Sequence, residues 1–105
     1  MGIWNRVKPD GSEDQVLLNI VLLRTELTGV ALNMRTKAEV KANLESVMGE
    51  ALLEDEAADL LAMATHLSTG TTEDRLVYAA KLEFALIAAA SGLINETKFR
   101  TVLGI

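Results

Sequence analysis

At 105 residues and 11.3 kDa the chain holds one domain, small enough that its core must be efficient. Half of its residues are apolar and about a quarter are charged, which excludes a disordered chain, and the absence of cysteine excludes disulfides, thiol catalysis and thiolate metal sites together. A net charge of −5 speaks against general nucleic-acid binding, which needs a basic face to displace counterions.

The first eleven residues carry no regular periodicity. Arg6, Lys8 and Asp10 interrupt the start before any long apolar run, so no signal peptide is expected, and Arg6 stands where an N-myristoylation motif requires Ser or Thr. Residues 1–11 are expected to form an extended arm that ends in a type I turn at Lys8-Pro9-Asp10-Gly11. The arm holds the only tryptophan, Trp4, with Ile3 and Val7 beside it. These three are the expected protein-interaction residues, with Trp4 as the anchor docking on a neighbouring subunit; the alternative is that Trp4 folds back onto its own bundle.

Residues 12–105 are expected to form a single helical-bundle domain. Ser12 precedes Gln15 by three residues, a capping box that opens a first helix. Val16, Ile20, Leu23, Leu27, Val30 and Met34 make its stripe, and Leu17, Leu18, Val21 and Leu22 widen it, so this helix is expected to be covered on more than one side. Thr36 and Glu39 form a second capping box, followed by Val40, Leu44, Val47 and Met48 at helical spacing and by Gly49 as a left-handed stop.

A third helix begins with Glu54, Asp55 and Glu56 at its positive end, runs through Ala57, Leu60, Leu61, Ala64 and Leu67, and stops at Gly70. Thr71 or Thr72 caps the fourth, which is apolar nearly all round from Leu76 to Ile94 and is therefore expected to be central and surrounded. Gly92 ends it. Asn95 caps a last short turn holding Phe99, Val102, Leu103 and Ile105. No stretch alternates at period two long enough to be a strand, so the expected fold is all-α: four main helices, a short C-terminal helical turn and the arm. The longest apolar run, 84–94, is about half the ~20 residues of a membrane span.

Candidate sites are few. SGLINETKF resembles the exit half of an EF-hand calcium loop, but the first, third and twelfth liganding positions fall on Ile87, Ala89 and Lys98, which cannot ligate calcium in that loop. His66 is the only histidine, and Met63 stands where a di-iron Glu-x-x-His motif needs glutamate. Between Lys41 and Arg75 lie eight acids and no base, expected to form a solvated face; the pairs Glu50–Glu54 and Asp55–Asp59 sit at i, i+4. Met34, Met48 and Met63 are expected to fill gaps in the core. Arg35, Lys37 and Lys41 form a small basic patch, but the helix after it is acidic, which is wrong for the major groove.

No catalytic, cofactor or metal site is therefore expected, and no nucleic-acid or membrane partner. The first and fourth helices are both broad-faced and carry more apolar surface than the two short ones can cover, which marks contacts with other chains. The expected function is thus that of a non-enzymatic assembly subunit, a homo-oligomer or part of a larger complex such as a phage particle, in the cytoplasm or the virion. The alternative is a small acidic regulator that binds a partner protein through its acidic face, as a nucleic-acid mimic would.

Overall fold

A computed structural model of the protein describes residues 2–9 and 12–105, with no strand among the described residues. In chain order the helices are α1 (Trp4–Val7), α2 (Glu13–Ala31), α3 (Lys37–Met48), α4 (Glu54–His66), α5 (Thr72–Ala90) and α6 (Glu96–Leu103). The fold is an all-α bundle, as the periodicity predicts. The four expected main helices are α2 to α5, and the C-terminal turn is an eight-residue helix, α6. The turn expected at residues 8–11 lies partly outside the described residues, because Asp10 and Gly11 do.

The caps explain where the helices start. Thr36 and Glu39 exchange both bonds of a capping box, at 3.3 and 2.8 Å, and Thr71 and Asp74 do the same at 3.1 and 3.0 Å. Ser12 makes half of its expected box: its hydroxyl accepts from the Gln15 N–H at 3.4 Å, while the Gln15 side chain turns forward to donate to Asn19 at 3.1 Å. Asn95 accepts from the Lys98 N–H at 2.9 Å.

The chain contains an internal structural repeat. An offset of 59 residues carries α2 onto α5 end for end, and the start of α3 onto the start of α6. The N-caps Ser12 and Thr71 coincide under it, as do Thr36 and Asn95, and the ends of α1 and α4. Each long helix ends through the same device. Asn33 and Gly92 both take left-handed backbone, at φ 59° and 74°, and the next residue donates back to the helix, Met34 to Gly29 at 2.8 Å and Leu93 to Ala88 at 2.9 Å. Core positions correspond as well: Leu23 with Leu82, Leu27 with Leu86, Val30 with Ala89, Val40 with Phe99 and Leu44 with Leu103, all buried.

The two halves meet along α2 and α5, which lie antiparallel. Arg24 bonds Glu83 midway at 3.1 Å, Leu17 lies beside Ala90 and Ser91 at one end, and Arg75 reaches Asn33 at the other. One side of this pair carries the core, to which α3, α4 and α6 add Val40, Leu44, Leu60, Met63, Phe99 and Leu103. The other side is bare. Leu17, Leu18 and Val21, expected beneath a covering element, are exposed, so α2 is covered on one side only. The expectation that α5 is surrounded is corrected in the same way: it buries Tyr78, Leu82, Ala85, Leu86, Ala88 and Ala89 but leaves Leu76, Val77, Phe84 and Ile87 exposed. The reason is geometric. Its main partners, α1, α2 and α6, meet the side that holds its buried residues, and among the described residues Leu76, Val77, Phe84 and Ile87 stay uncovered on the other.

Of the three methionines expected in the core only Met63 is buried there; Met34 is exposed in the turn after α2. Val47 also faces out, because the last turn of α3 extends past the core.

Candidate functional site

The expected arm is not extended over residues 3–7. It forms the single turn α1, closed by bonds from the Asn5, Arg6 and Lys8 N–H groups to the Gly2, Ile3 and Trp4 carbonyls at 3.1, 2.9 and 3.0 Å. One isolated turn is unstable in water. This one is held by the bundle. Ile3 is 1% and Val7 0% exposed, both inside the core of their own chain, and the Trp4 ring lies 5.4 Å from that of Phe99, half-buried. Of the three residues expected to meet a neighbouring subunit, only Trp4 keeps exposed surface.

A polar clamp fixes the turn from outside. The Gly2 N–H donates to Asp55 at 2.9 Å and the Ile3 N–H to Asp59 at 3.0 Å, so two carboxylates of α4 satisfy N–H groups ahead of α1. Gly2 is required there: its φ is 57°, and a Cβ would lie 2.0 Å from an Asp59 oxygen. Arg100 grips the same Asp59 carboxylate with two bonds, at 2.7 and 3.0 Å, and also donates to the Ile105 carbonyl at 2.7 Å. Arg6 donates to both oxygens of Glu56, at 2.8 and 3.0 Å, and pairs with Glu50; its own carbonyl accepts from Asn19 at 3.0 Å.

These contacts set the protonation of the clamp. Burial disfavours the Asp59 anion, but Arg100 and the Ile3 N–H outweigh it and hold the carboxyl below its ordinary range. The bond to Glu56 raises Arg6, and the bond to Asp59 raises Arg100.

The expected solvated acidic face is accordingly corrected in its middle. Glu56 is 1% and Asp59 8% exposed, and each binds an arginine far away in the chain. Glu45 accepts from the Leu52 N–H at 2.8 Å and from Lys41, and Asp74 completes a cap. The basic patch is divided too, since Arg35 pairs with Glu26 and Lys41 with Glu45. The His66 ring stacks on Tyr78 at 4.5 Å, and the Tyr78 hydroxyl donates to the Leu103 carbonyl at 2.6 Å. Burial pushes that phenol far above its ordinary range, so it serves as a neutral donor. Among the described residues no group of three or more acids and histidines is placed to hold a metal ion, and no helix is long and apolar enough to cross a membrane.

What stands open is the outer face of the α2–α5 pair. Leu17, Val21, Arg24 and Thr28 follow one another at i, i+4, i+7 and i+11 on α2, and Leu76, Ala80, Glu83 and Ile87 do so on α5. These are the same positions under the 59-residue offset. Val21 is 57% and Ile87 52% exposed, Leu17 and Leu76 are exposed to a similar degree, and Phe84 flanks the α5 row. The two rows are mainly apolar, with Thr28 at one end of the α2 row and the Arg24–Glu83 pair at the midpoint. Sequence reasoning counted Leu17 and Val21 as a widening of the α2 stripe and placed Leu76 and Ile87 in a helix apolar nearly all round, without saying which side stays open. The signal available was the width of the stripe, broader than the short neighbouring helices could cover.

No protein family, no curated protein and no solved structure matches the chain.

Proposed function

We propose that the protein is a non-enzymatic assembly subunit acting through protein–protein contacts, and that the α2–α5 outer face makes them. The observation that carries this reading is the pair of aligned apolar rows on two long helices. Single exposed apolar residues are ordinary, but a contiguous apolar face on rigid elements marks a contact surface. The chain offers little for catalysis by comparison: its one histidine lies on a tyrosine, and its most buried carboxylates are neutralised by arginines. The setting we propose is a multi-subunit complex such as a phage particle, on the chain's profile alone: short, helical and free of cysteine.

The alternative of an acidic mimic of nucleic acid has less support. Glu56 and Asp59, at the centre of the acidic stretch, face inward and are paired, so the array of free charge that such a mimic needs is broken.

Size-exclusion chromatography with light scattering tests the proposal. The native chain should elute as an assembly, and the double variant Val21→Asp, Ile87→Asp as a folded monomer with unchanged helix content. A native chain that is monomeric and indifferent to these changes would remove the reading.

A further inference from the structure

We infer that the occupant of the α2–α5 face is a second copy of this chain, related by a two-fold axis running along the face parallel to both helices. The inference rests on the reading of that face as the assembly surface and adds the partner and its orientation.

Charge placement carries the argument. Between Leu17 and Thr28 on the α2 row and Leu76 and Ile87 on the α5 row the charges are one cation and one anion, Arg24 and Glu83, side by side at 3.1 Å and both about half exposed. A second copy can be laid over this face with its two-fold axis in the plane, either across the helices or along them. An axis across the helices at the level of the pair sets Arg24 against Arg24 and Glu83 against Glu83. An axis along them, midway between α2 and α5, sets α2 over the partner's α5 at the same height. Arg24 then meets the partner copy's Glu83 and the reverse, giving four alternating charges at the centre of the interface. The second arrangement is attractive and the first repulsive.

Apolar placement agrees. At the same height as Leu17 and Val21 lies the Ile87 end of α5, and at the height of Thr28 the Leu76 end, because the helices are antiparallel. The axis along the helices therefore lays Leu17 and Val21 on the partner copy's Ile87 end, and the reverse. The extent suits a small interface. Two 19-residue helices side by side are about 28 Å long and about 20 Å wide, a footprint on the order of 500 Å² in projection, about two-thirds of the ~800 Å² of accessible area a standard interface buries per partner. The product is a four-helix layer with antiparallel neighbours throughout.

The test is sedimentation equilibrium of the full chain at low ionic strength, where the pairing of exposed charges is least screened. Arg24 and Glu83 form an exposed pair, so R24E and E83R should each keep the native helix content. The native chain should dimerise. R24E and E83R alone should each weaken the dimer by about tenfold or more, because like charges then face each other across the interface. Mixing the two should restore association as a heterodimer, and the double variant R24E/E83R should associate like the native chain. A native chain that is monomeric at every concentration overturns both this inference and the assembly reading. A dimer dispersed by Val21→Asp, Ile87→Asp but indifferent to R24E and E83R overturns the inference alone, and so does association that requires a different protein.

Discussion

Asp59 and Arg100, 41 residues apart in the chain, form a two-point ion pair whose carboxylate also accepts the N–H of Ile3. One side chain of α4 thus ties the N-terminal turn to the C-terminal helix. Asp59→Asn keeps the shape and removes the charge. It should destabilise the protein by about 2 kcal/mol, the scale of a hydrogen bond to a charged group, as read by urea unfolding.

The same carboxylate fixes the response to acid. Its folded-state value is depressed, so its contribution is complete above the ordinary aspartate value of about 3.9 and disappears as pH falls through the lower folded value. The native chain should lose stability over that acidic window more steeply than the Asp59→Asn variant. Parallel curves would show that Asp59 is not the group responsible.

Ile3 and Val7 belong to the core, so changes there should act on the monomer. Ile3→Ala should cost about 2–4 kcal/mol, and removing residues 1–7 should lower the melting temperature outright instead of only weakening association. Trp4 fluorescence should shift to the red with the same midpoint as the loss of helix. An earlier, separate transition would mean that α1 detaches on its own.

The paired left-handed turns give a controlled comparison. A Cβ at Gly92 would meet only Pro9, at 3.9 Å, so Gly92→Ala should cost about 1–2 kcal/mol through backbone strain alone. Asn33→Gly, at the corresponding turn, should change stability by less than about 0.5 kcal/mol, since asparagine already tolerates this conformation. Equal effects at both turns would contradict the account of how α2 and α5 end.

Ala88 and Ala89 are both buried on the inner side of α5. Replacing either with Leu should overpack the contact and cost about 1–3 kcal/mol, measured as a fall in the unfolding midpoint.

Helix starts and stops were legible in the sequence because capping chemistry is local: Thr36 with Glu39, Thr71 with Asp74, Asn95, Gly49 and Gly92 act within a few residues of themselves. The clamp was not legible, because a carboxylate on a helix surface looks solvated until the arginine that pairs with it is known, and Arg6 and Arg100 lie 50 and 41 residues from Glu56 and Asp59. The turn α1 is too short to show a period. The repeat was hidden because few residues recur: between residues 12–44 and their counterparts only Leu17, Leu23, Leu27, Ala31 and Leu44 are unchanged. Its trace was the capping pattern, Ser12 and Thr36 in one half and Thr71 and Asn95 in the other at the same separation. The excess of apolar surface on α2 and α5 was legible, but its place was not, because both helices are apolar on both sides and periodicity does not say which side a small bundle leaves open.

The most direct measurement is an isotope-filtered NOE experiment on a sample mixed from labelled and unlabelled chains, which reports contacts between copies only. The account predicts intermolecular contacts from the Ile87 methyl groups to those of Leu17 and Val21, with none from Ile3 or Val7. A concentrated sample that shows no intermolecular contacts, or shows them only away from α2 and α5, would contradict it.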